Sequence, residues 1–560
     1  MPYCLAHRPL PAYIFHHSSR SLCQVLAAGV HSRFDKRMFS PISTLQSPSH
    51  YRWLAPALAG VLLALAFPCH PQHPLHFLFN AAWAYVALIP LLTRLKGGGF
   101  KEGFKVGWIA GACFNLIGLY WVAYTQGGGP AVIGGTVLMA VYLGLYTGLF
   151  AGSYQLLARR WGNGAVLATP VLWTAQEYLL SLGELGFPWM LLGHSQAGFP
   201  HLIQYAAFTG VYGVTFWVVL VNAVLYLLLN AAPQLRPRLV AASALFLCFA
   251  LPWSYGAAVI AAADTNESNV RVALIQPNLT LAEKWGSGGL ERSFTALETL
   301  SRQAAKHNPQ LLVWPETALP CYLQLRPDCQ NRVRSLVDEL QVPLHTGASD
   351  YNFERSEPYN SAFLFYPQQD TVQTYAKMHL VPFGERTPFR DDIPLLRDID
   401  WTALTGDLGP AEFAPGTEHT IFAHPQAPFA VSICFESVFP DLVRRSVRQG
   451  ARLLVNITND SWFGRTAGPY QHAQLAILRA VENRTAIARC ANTGISLFID
   501  PYGRTSQATD LFAPAFRVGD LAVNSHTTFY TRHGDLFAQG LLAAACVLLL
   551  VARLAKSRAV

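Results

Sequence analysis

The sequence predicts a two-part fold: a multi-pass α-helical membrane domain of eight spans, joined to a soluble α/β domain whose sheets pack between helical layers. Three observations predict it. The composition, 52% hydrophobic with only 13% charged, is too apolar for a purely soluble chain. The apolar residues are also unevenly placed, with long runs nearly free of charge in the first half and ordinary globular polarity from about 264 to 535. From residue 270 onward, short β-rich runs alternate with amphipathic stretches, the pattern of a layered α/β domain.

A helix that crosses a bilayer needs about 20 mostly apolar residues. Candidates fall at 53 to 67, 75 to 93, 106 to 124, 131 to 157, 165 to 182, 203 to 229 and 238 to 261, with an eighth at 536 to 553 after the soluble part. Cytoplasmic loops retain Lys and Arg, so the short loops give the orientation. Basic loops hold Arg94, Lys96, Lys101 and Lys105, then Arg159 and Arg160, then Arg236 and Arg238, and last a tail with Arg553, Lys556 and Arg558. The intervening "PCHPQHP", "TQGGGP" and "GELGFPWMLLGHSQAGFPH" contain neither residue. This alternation puts the amino terminus inside and, after seven crossings, the soluble domain outside the cytoplasm. The formal charge of +8 then belongs largely to topology, and no nucleic-acid partner is assigned. The outward loop carrying Phe187 and Trp189 suits either the headgroup level or a re-entrant packing element. Glu177 is a polar exception within the spans, read as helix-to-helix hydrogen bonding ahead of a functional role.

The expected division is an extension over 1–51, a seven-span membrane domain over 52–263, an extracytoplasmic catalytic domain over 264–530, and a last span with its tail over 531–560. Residues 1–50 are rich in His, Ser and Arg and lack the apolar core of a signal peptide. Disorder is expected there, with a translation start at Met38 as the alternative; a native protein whose intact mass begins at Met1 contradicts that start. Of ten cysteines, Cys69, Cys113, Cys248 and Cys546 lie in or beside spans and read as small apolar residues. Cys321 and Cys329 either close a short loop as a disulfide or stand as two thiols. Cys490 reads as a core residue.

Cys434 is different. It closes the β-rich run "FAVSIC" just before a segment that reads as a helix starting near Pro440. Reactive groups of α/β sheets gather beyond the carboxyl ends of strands, and two more ionisable residues occupy such ends: Glu316 after "LLVWP" and Lys377 closing "TVQTYAK". Taken singly, a Glu, a Lys and a Cys are usually a solvated acid, a surface amine and a core thiol. Together at strand ends they make an acyl-transfer site, with Glu316 as base, Lys377 opposite a developing oxyanion and Cys434 as nucleophile.

The flanking words are specific. "WPE" around Glu316, "YAKMHLVPFGE" around Lys377 and "ICFES" around Cys434 resemble the Glu, Lys, Cys pattern of the nitrilase superfamily. Such a domain set before the last of eight spans resembles the apolipoprotein N-acyltransferase family, from about residue 52 to the end. "IQPN", "EKW", "NDSWFG", "GPYQHAQLAILRAVENR" and "ANTGIS" match further family words. The resemblance implies an αββα sandwich and catalysis by Glu316, Lys377 and Cys434. It also implies supporting roles for Glu385 in "PFGE" and for Glu436 beside the nucleophile, and a place near the site entrance for Trp285, whose other reading is a packed aromatic. Phe435 stands where the family has Tyr.

The reaction implied takes an acyl chain from a phospholipid such as phosphatidylethanolamine onto the cysteine as a thioester. The chain then passes to the α-amino group of a diacylglyceryl cysteine on an apolipoprotein. The implied setting is the bacterial inner membrane with the catalytic domain in the periplasm, and the protein is expected to act as a monomer without cofactor or metal. "NDSWFG", Gln471 and His472 are expected to shape the pocket wall, and the glycine-rich "EKWGSGG" to act as a lid. Two rivals are a membrane-tethered amidase, in which water resolves the acyl-enzyme, and a transporter or receptor whose external domain only binds.

Overall fold

The computed structural model describes residues 53–231, 235–263, 269–397, 412–523 and 526–554. The expected extension over 1–51, Met38 and the tail residues Lys556 and Arg558 lie outside them.

In the apolar half, α-helices run over Leu54–Leu65, Phe100–Gly118, Gly129–Trp161, Thr169–Leu180, Val211–Leu229 and Leu235–Ala261, and one more follows the α/β domain over Leu536–Leu554. Among the described residues, four stretches are long and apolar enough to cross a membrane: Gly129–Leu180, Val211–Leu229, Leu235–Ala261 and Leu536–Leu554. The segment expected as one span over 75 to 93 is not one helix. It comprises 3-10 turns at His76–Leu78 and Ala81–Tyr85 and a short α-helix at Ile89–Arg94. Asn80 breaks it, sitting in an extended conformation and accepting the Ala82 amide with its own side chain; Pro90 then suits only the first turn of a new helix. The 106 to 124 expectation is shortened in the same way, the α-helix ending at Gly118 and a 3-10 turn covering Tyr120–Tyr124.

Small residues bring two of these helices into backbone contact. A Cβ on Gly107 would stand 2.4 Å from the Thr147 carbonyl oxygen, and one on Gly144 2.8 Å from the Ala112 amide nitrogen. Lipid supplies no hydrophobic drive between helices, so this close packing is what holds them. Gly107→Leu is expected to cost roughly 1–3 kcal/mol, the range for overpacking, read as a lower thermal midpoint in detergent; a midpoint equal to that of the unmutated protein contradicts the packing argument. Glu177 accepts Trp173 Nε1 at 2.8 Å, the Leu192 amide at 2.8 Å and Thr215 Oγ1 at 2.6 Å. It thereby ties the 187–196 loop to two helices, as the hydrogen-bonding reading expects.

The α/β domain holds two sheets. The first has strands β1 (Asn269–Gln276), β2 (Leu311–Val313), β3 (Leu319–Tyr322), β4 (Leu344–Asn352), β5 (Glu357–Phe365), β6 (Gln373–Ala376) and β12 (Ala515–Ala522), in the order β12-β1-β2-β4-β5-β6 with β3 beside β4. The second has β7 (Phe429–Ile433), β8 (Leu453–Thr458), β9 (Ile487–Ala491), β10 (Leu497–Ile499) and β11 (Thr505–Ser506), in the order β11-β10-β9-β8-β7. Period-two alternation sorts their side chains. Val270, Val272 and Leu274 of β1 pack between the sheets with Phe429, Val431, Ile433, Val455 and Ile457. Ala273 and Ile275 point the other way, onto the Gly289–Ala305 and Pro327–Leu340 helices through Phe294, Leu297, Val333 and Leu336. On the far face, the helices Pro440–Arg448 and Gly468–Asn483 cover the second sheet. The result is the expected helix, sheet, sheet, helix sandwich. The Gly468–Asn483 helix ends at Arg484, which has φ +51°, and the chain then enters β9. Cys490 lies in the inter-sheet core as expected, while Cys321 and Cys329 stand as free thiols.

The Gly468–Asn483 helix also seats the sandwich on the apolar helices. Gln471 accepts the indole N–H of both Trp121 and Trp189 at 2.9 Å and donates to the Gly118 carbonyl at 3.0 Å. Gln474 donates to the His194 carbonyl at 3.0 Å, and Glu482 accepts the Val211 amide at 2.8 Å. Trp189 is buried and stacks on Phe187 and Phe435. The loop that holds it is therefore a packing element, not an exposed headgroup anchor: its aromatic faces are spent on the α/β domain.

Candidate active site

The hydrogen-bonded ladders explain why the three candidate residues meet. β2 and β4 are parallel, β5 is antiparallel to β4, and β6 is antiparallel to β5. β6 therefore runs with β2, and Glu316, two residues beyond β2's Trp314 neighbour, and Lys377, directly after β6, emerge at the same edge. Cys434 emerges from β7 of the facing sheet.

Cys434 has φ +53°, a left-handed conformation uncommon outside glycine and typical of strained functional turns. A 3-10 turn over Cys434–Val438 follows, and the α-helix begins at Pro440 as the sequence predicts. The backbone N–H groups directly after Cys434 thus belong to the 3-10 turn. His472 Nε2 lies 3.1 Å from the Cys434 carbonyl and Ser437 Oγ donates to that carbonyl at 3.0 Å. His472 Nδ1 lies 2.9 Å from Asp460, which also pairs with Arg489 at 3.0 Å. His472, Asp460 and Arg489 are fully buried, so the turn rests on a buried polar network.

Lys377 is 1% exposed and reaches Glu385 at 2.8 Å and Glu316 at 3.4 Å. Burial alone pushes its ammonium down, but Glu385 and then Glu316 outweigh that, and the group is held above its ordinary value. Glu316 accepts Asn360 Nδ2 at 2.8 Å with one oxygen and the Asn459 amide at 2.9 Å with the other. Asn360 also donates to Glu385 at 3.0 Å, and Glu385 accepts the Val381 amide at 2.8 Å. Burial and then the nearby Glu316 push the Cys434 thiol up, with Lys377 opposing them. Burial thus favours the neutral thiol at Cys434.

Glu436 points away from these groups. It accepts Tyr375 Oη at 2.7 Å, the Met378 amide at 2.7 Å, the His379 amide at 3.2 Å and, with its other oxygen, the Ile433 amide at 2.7 Å. It clamps the segment carrying Lys377 to the strand end carrying Cys434, and burial pushes its carboxyl up. Phe435 is buried against Phe187 at 5.7 Å and Phe439 at 5.0 Å between ring centroids, so the residue standing in place of Tyr acts as an apolar seal. Trp285 is 56% exposed at the end of a capped helical turn, Leu281–Trp285; it is not a core aromatic.

Sequence reading missed Asn360 and Arg489, and it named "NDSWFG", which holds Asn459 and Asp460, and His472 only as pocket wall, without the network that joins Asp460, His472 and Arg489. Asn360 left a faint signal, an amide inside the apolar strand "NSAFLF", where asparagine is disfavoured. Gln471 and His472 were expected to shape the pocket wall; their partners make them a tie to the apolar helices and a prop for the turn.

A family model described as the apolipoprotein N-acyltransferase N-terminal domain matches residues 59–224, and one described as carbon-nitrogen hydrolase matches residues 271–525. An apolipoprotein N-acyltransferase of Chlorobaculum tepidum is 34% identical over 528 residues, covering 90% of this chain and 96% of its own. One of Geobacter metallireducens is 36% identical over 516 residues, covering 90% and 96%. Among solved structures, Saccharomyces cerevisiae Nit3, described as a member of branch 10 of the nitrilase superfamily, is 19% identical, covers 47% of this chain and 93% of its own, and aligns with a TM-score of 0.36. With a third or more of its residues shared across nearly the full length of both relatives, the chain belongs to the apolipoprotein N-acyltransferase family.

Proposed function

We propose that this acyltransferase moves an acyl chain from the sn-1 position of a membrane phospholipid to the α-amino group of the diacylglyceryl cysteine of an apolipoprotein, through a thioester on Cys434. The observation that carries this reading is a partly buried thiol on a left-handed turn, at strand ends where Lys377 reaches both Glu316 and Glu385.

A neutral thiol is a poor nucleophile, so its proton must leave as it attacks. Glu316 takes that proton while the sulfur adds to the ester carbonyl. The negative charge that develops on the carbonyl oxygen meets Lys377 and the amides that open the 3-10 turn, which have no partner within the turn. Collapse breaks the ester C–O bond, Glu316 returns its proton to the leaving oxygen, and lysophospholipid departs. The acceptor amine then attacks the thioester, Glu316 takes a proton from it, and the C–S bond breaks to give an amide and the restored thiol. Glu385 orients Lys377 and Glu436 braces the two strand ends.

The membrane helices have a physical role here. Each buried CH₂ is worth about 0.8 kcal/mol, so drawing a chain of about 16 carbons into water would cost on the order of 12 kcal/mol. A site that meets the bilayer avoids that cost. In this reading the chain crosses the bacterial inner membrane eight times, the α/β domain faces the periplasm in keeping with the basic loops, phosphatidylethanolamine serves as donor, and one chain suffices because every assigned group lies on it. Trp285 lies at the entrance, where its exposure leaves it free to meet substrate.

The test is incubation with phosphatidylethanolamine and a peptide that begins with a diacylglyceryl cysteine. The expected products are a peptide heavier by one acyl chain in a hydroxylamine-resistant linkage and an equal amount of lysophospholipid. Free fatty acid with no gain on the peptide overturns the transfer in favour of a hydrolase.

A further inference from the structure

Lys284 is a buried charge that the mechanism does not use. It precedes Trp285 on the Leu281–Trp285 helix and is 1% exposed, and among the described residues its ammonium makes its only hydrogen bond to the Thr317 carbonyl at 2.9 Å. An ammonium has three donors, and one neutral acceptor does not offset the cost of burying it. Burial pushes it down to about 8, with Glu316 acting in the opposite sense.

Its acceptor is the telling part. Thr317 directly follows Glu316 and has φ +43°, a conformation that a β-branched residue rarely adopts and that its surroundings must therefore enforce. On one side β4 does so. The Gly347 amide donates to the Pro315 carbonyl at 3.2 Å and the Ala318 amide donates to the Gly347 carbonyl at 2.8 Å. A Cβ on Gly347 would stand 2.8 Å from Glu316 Cα, so only glycine lets the strand approach so closely. The Lys284 ammonium holds the turn through the Thr317 carbonyl. The Lys284 backbone is itself close-packed, since a Cβ on Gly289 would fall 1.9 Å from the Lys284 carbonyl oxygen.

We propose that Lys284 is a positioning residue for the acylation step: its buried ammonium holds the Thr317 carbonyl in the left-handed turn and so aims the Glu316 carboxylate at the Cys434 thiol. Because Trp285 is the next residue, the exposed end of this helix and the general base are mechanically joined. The proposal rests on the assignment of Glu316 as base.

The experiment is single-turnover acylation by phosphatidylethanolamine vesicles, followed by intact mass, with thermal midpoints measured alongside, for the unmutated enzyme, Lys284→Met and Lys284→Arg. Lys284→Met is expected to keep or raise the midpoint, because a buried charge is replaced by an apolar chain of similar volume. Its acylation rate constant is expected to fall roughly 10- to 100-fold, the effect of slight misplacement of a reacting group, at an unchanged half-saturating lipid concentration. Lys284→Arg, which keeps the donor and the charge, should recover part of the rate. An unmutated rate in Lys284→Met overturns the proposal, as does a rate loss matched by a falling midpoint or one confined to the lipid concentration dependence. Glu316→Gln and Cys434→Ala run in parallel separate the two layers. If neither slows acylation, the base and nucleophile assignments fail and the Lys284 proposal falls with them; if both do, the Lys284 variants judge the proposal alone.

Discussion

Replacing Lys377 with methionine is expected to slow acylation about 10²- to 10³-fold, the measured range for loss of one oxyanion donor, and to destabilise the fold in the same stroke. The second effect follows from burial. Lys377 is the cation shared by Glu385 and Glu316, and removing one partner of a buried pair costs about 3–5 kcal/mol because the remaining charge has no solvent. The two effects are separable. Lys377→Met combined with Glu385→Gln removes one of the stranded charges and should recover much of the thermal midpoint, whereas the rate should stay low. A double variant that regains both midpoint and rate would mean that Lys377 serves the fold alone.

The second large effect is expected at Glu316. Glutamine has almost the same shape, yet it cannot take the thiol proton, and the Cys434 thiol is held up by burial before anything else. Loss of a positioned general base costs about 10²- to 10⁴-fold, so Glu316→Gln should fall by that much in single-turnover acylation. It also replaces an acceptor that serves three donors, Asn360 Nδ2 and Lys377 Nζ on one oxygen and the Asn459 amide on the other, with a group that has one acceptor atom. One buried donor then faces an NH₂, at about 1–3 kcal/mol. Acylation within tenfold of the unmutated rate would mean that another group takes the proton.

The parts legible in the sequence were those written in local periodicity. Strands β1, β7 and β8, the helices beside them and the helix start at Pro440 follow from alternation and from proline's fixed φ. Glu316, Lys377 and Cys434 were legible because each closes a strand, and strands of one direction bring their ends to one edge. The residues that complete the site were not, because their roles are set by long-range contact. Asn360 reaches Glu316 and Glu385 from the middle of β5, and Lys284 reaches Thr317 from 33 positions away. Glu436 was expected in a supporting role, but its partners, Tyr375 and the amides after Lys377, are again set by long-range contact. The apolar half was legible as helices but not in its interruptions. Hydropathy over 75 to 93 is continuous, while Asn80 and Pro90, each a local capping residue, break the chain into short pieces.

The central claim is that Cys434 carries the acyl chain between donor and acceptor. Intact mass of the purified acyltransferase after exposure to phosphatidylethanolamine alone, beside Cys434→Ala, tests it most directly. The account predicts the added mass of one acyl chain, removed by hydroxylamine and absent from the variant, with an equal amount of lysophospholipid released. An unchanged mass with no lysophospholipid, or the same adduct on Cys434→Ala, would contradict it.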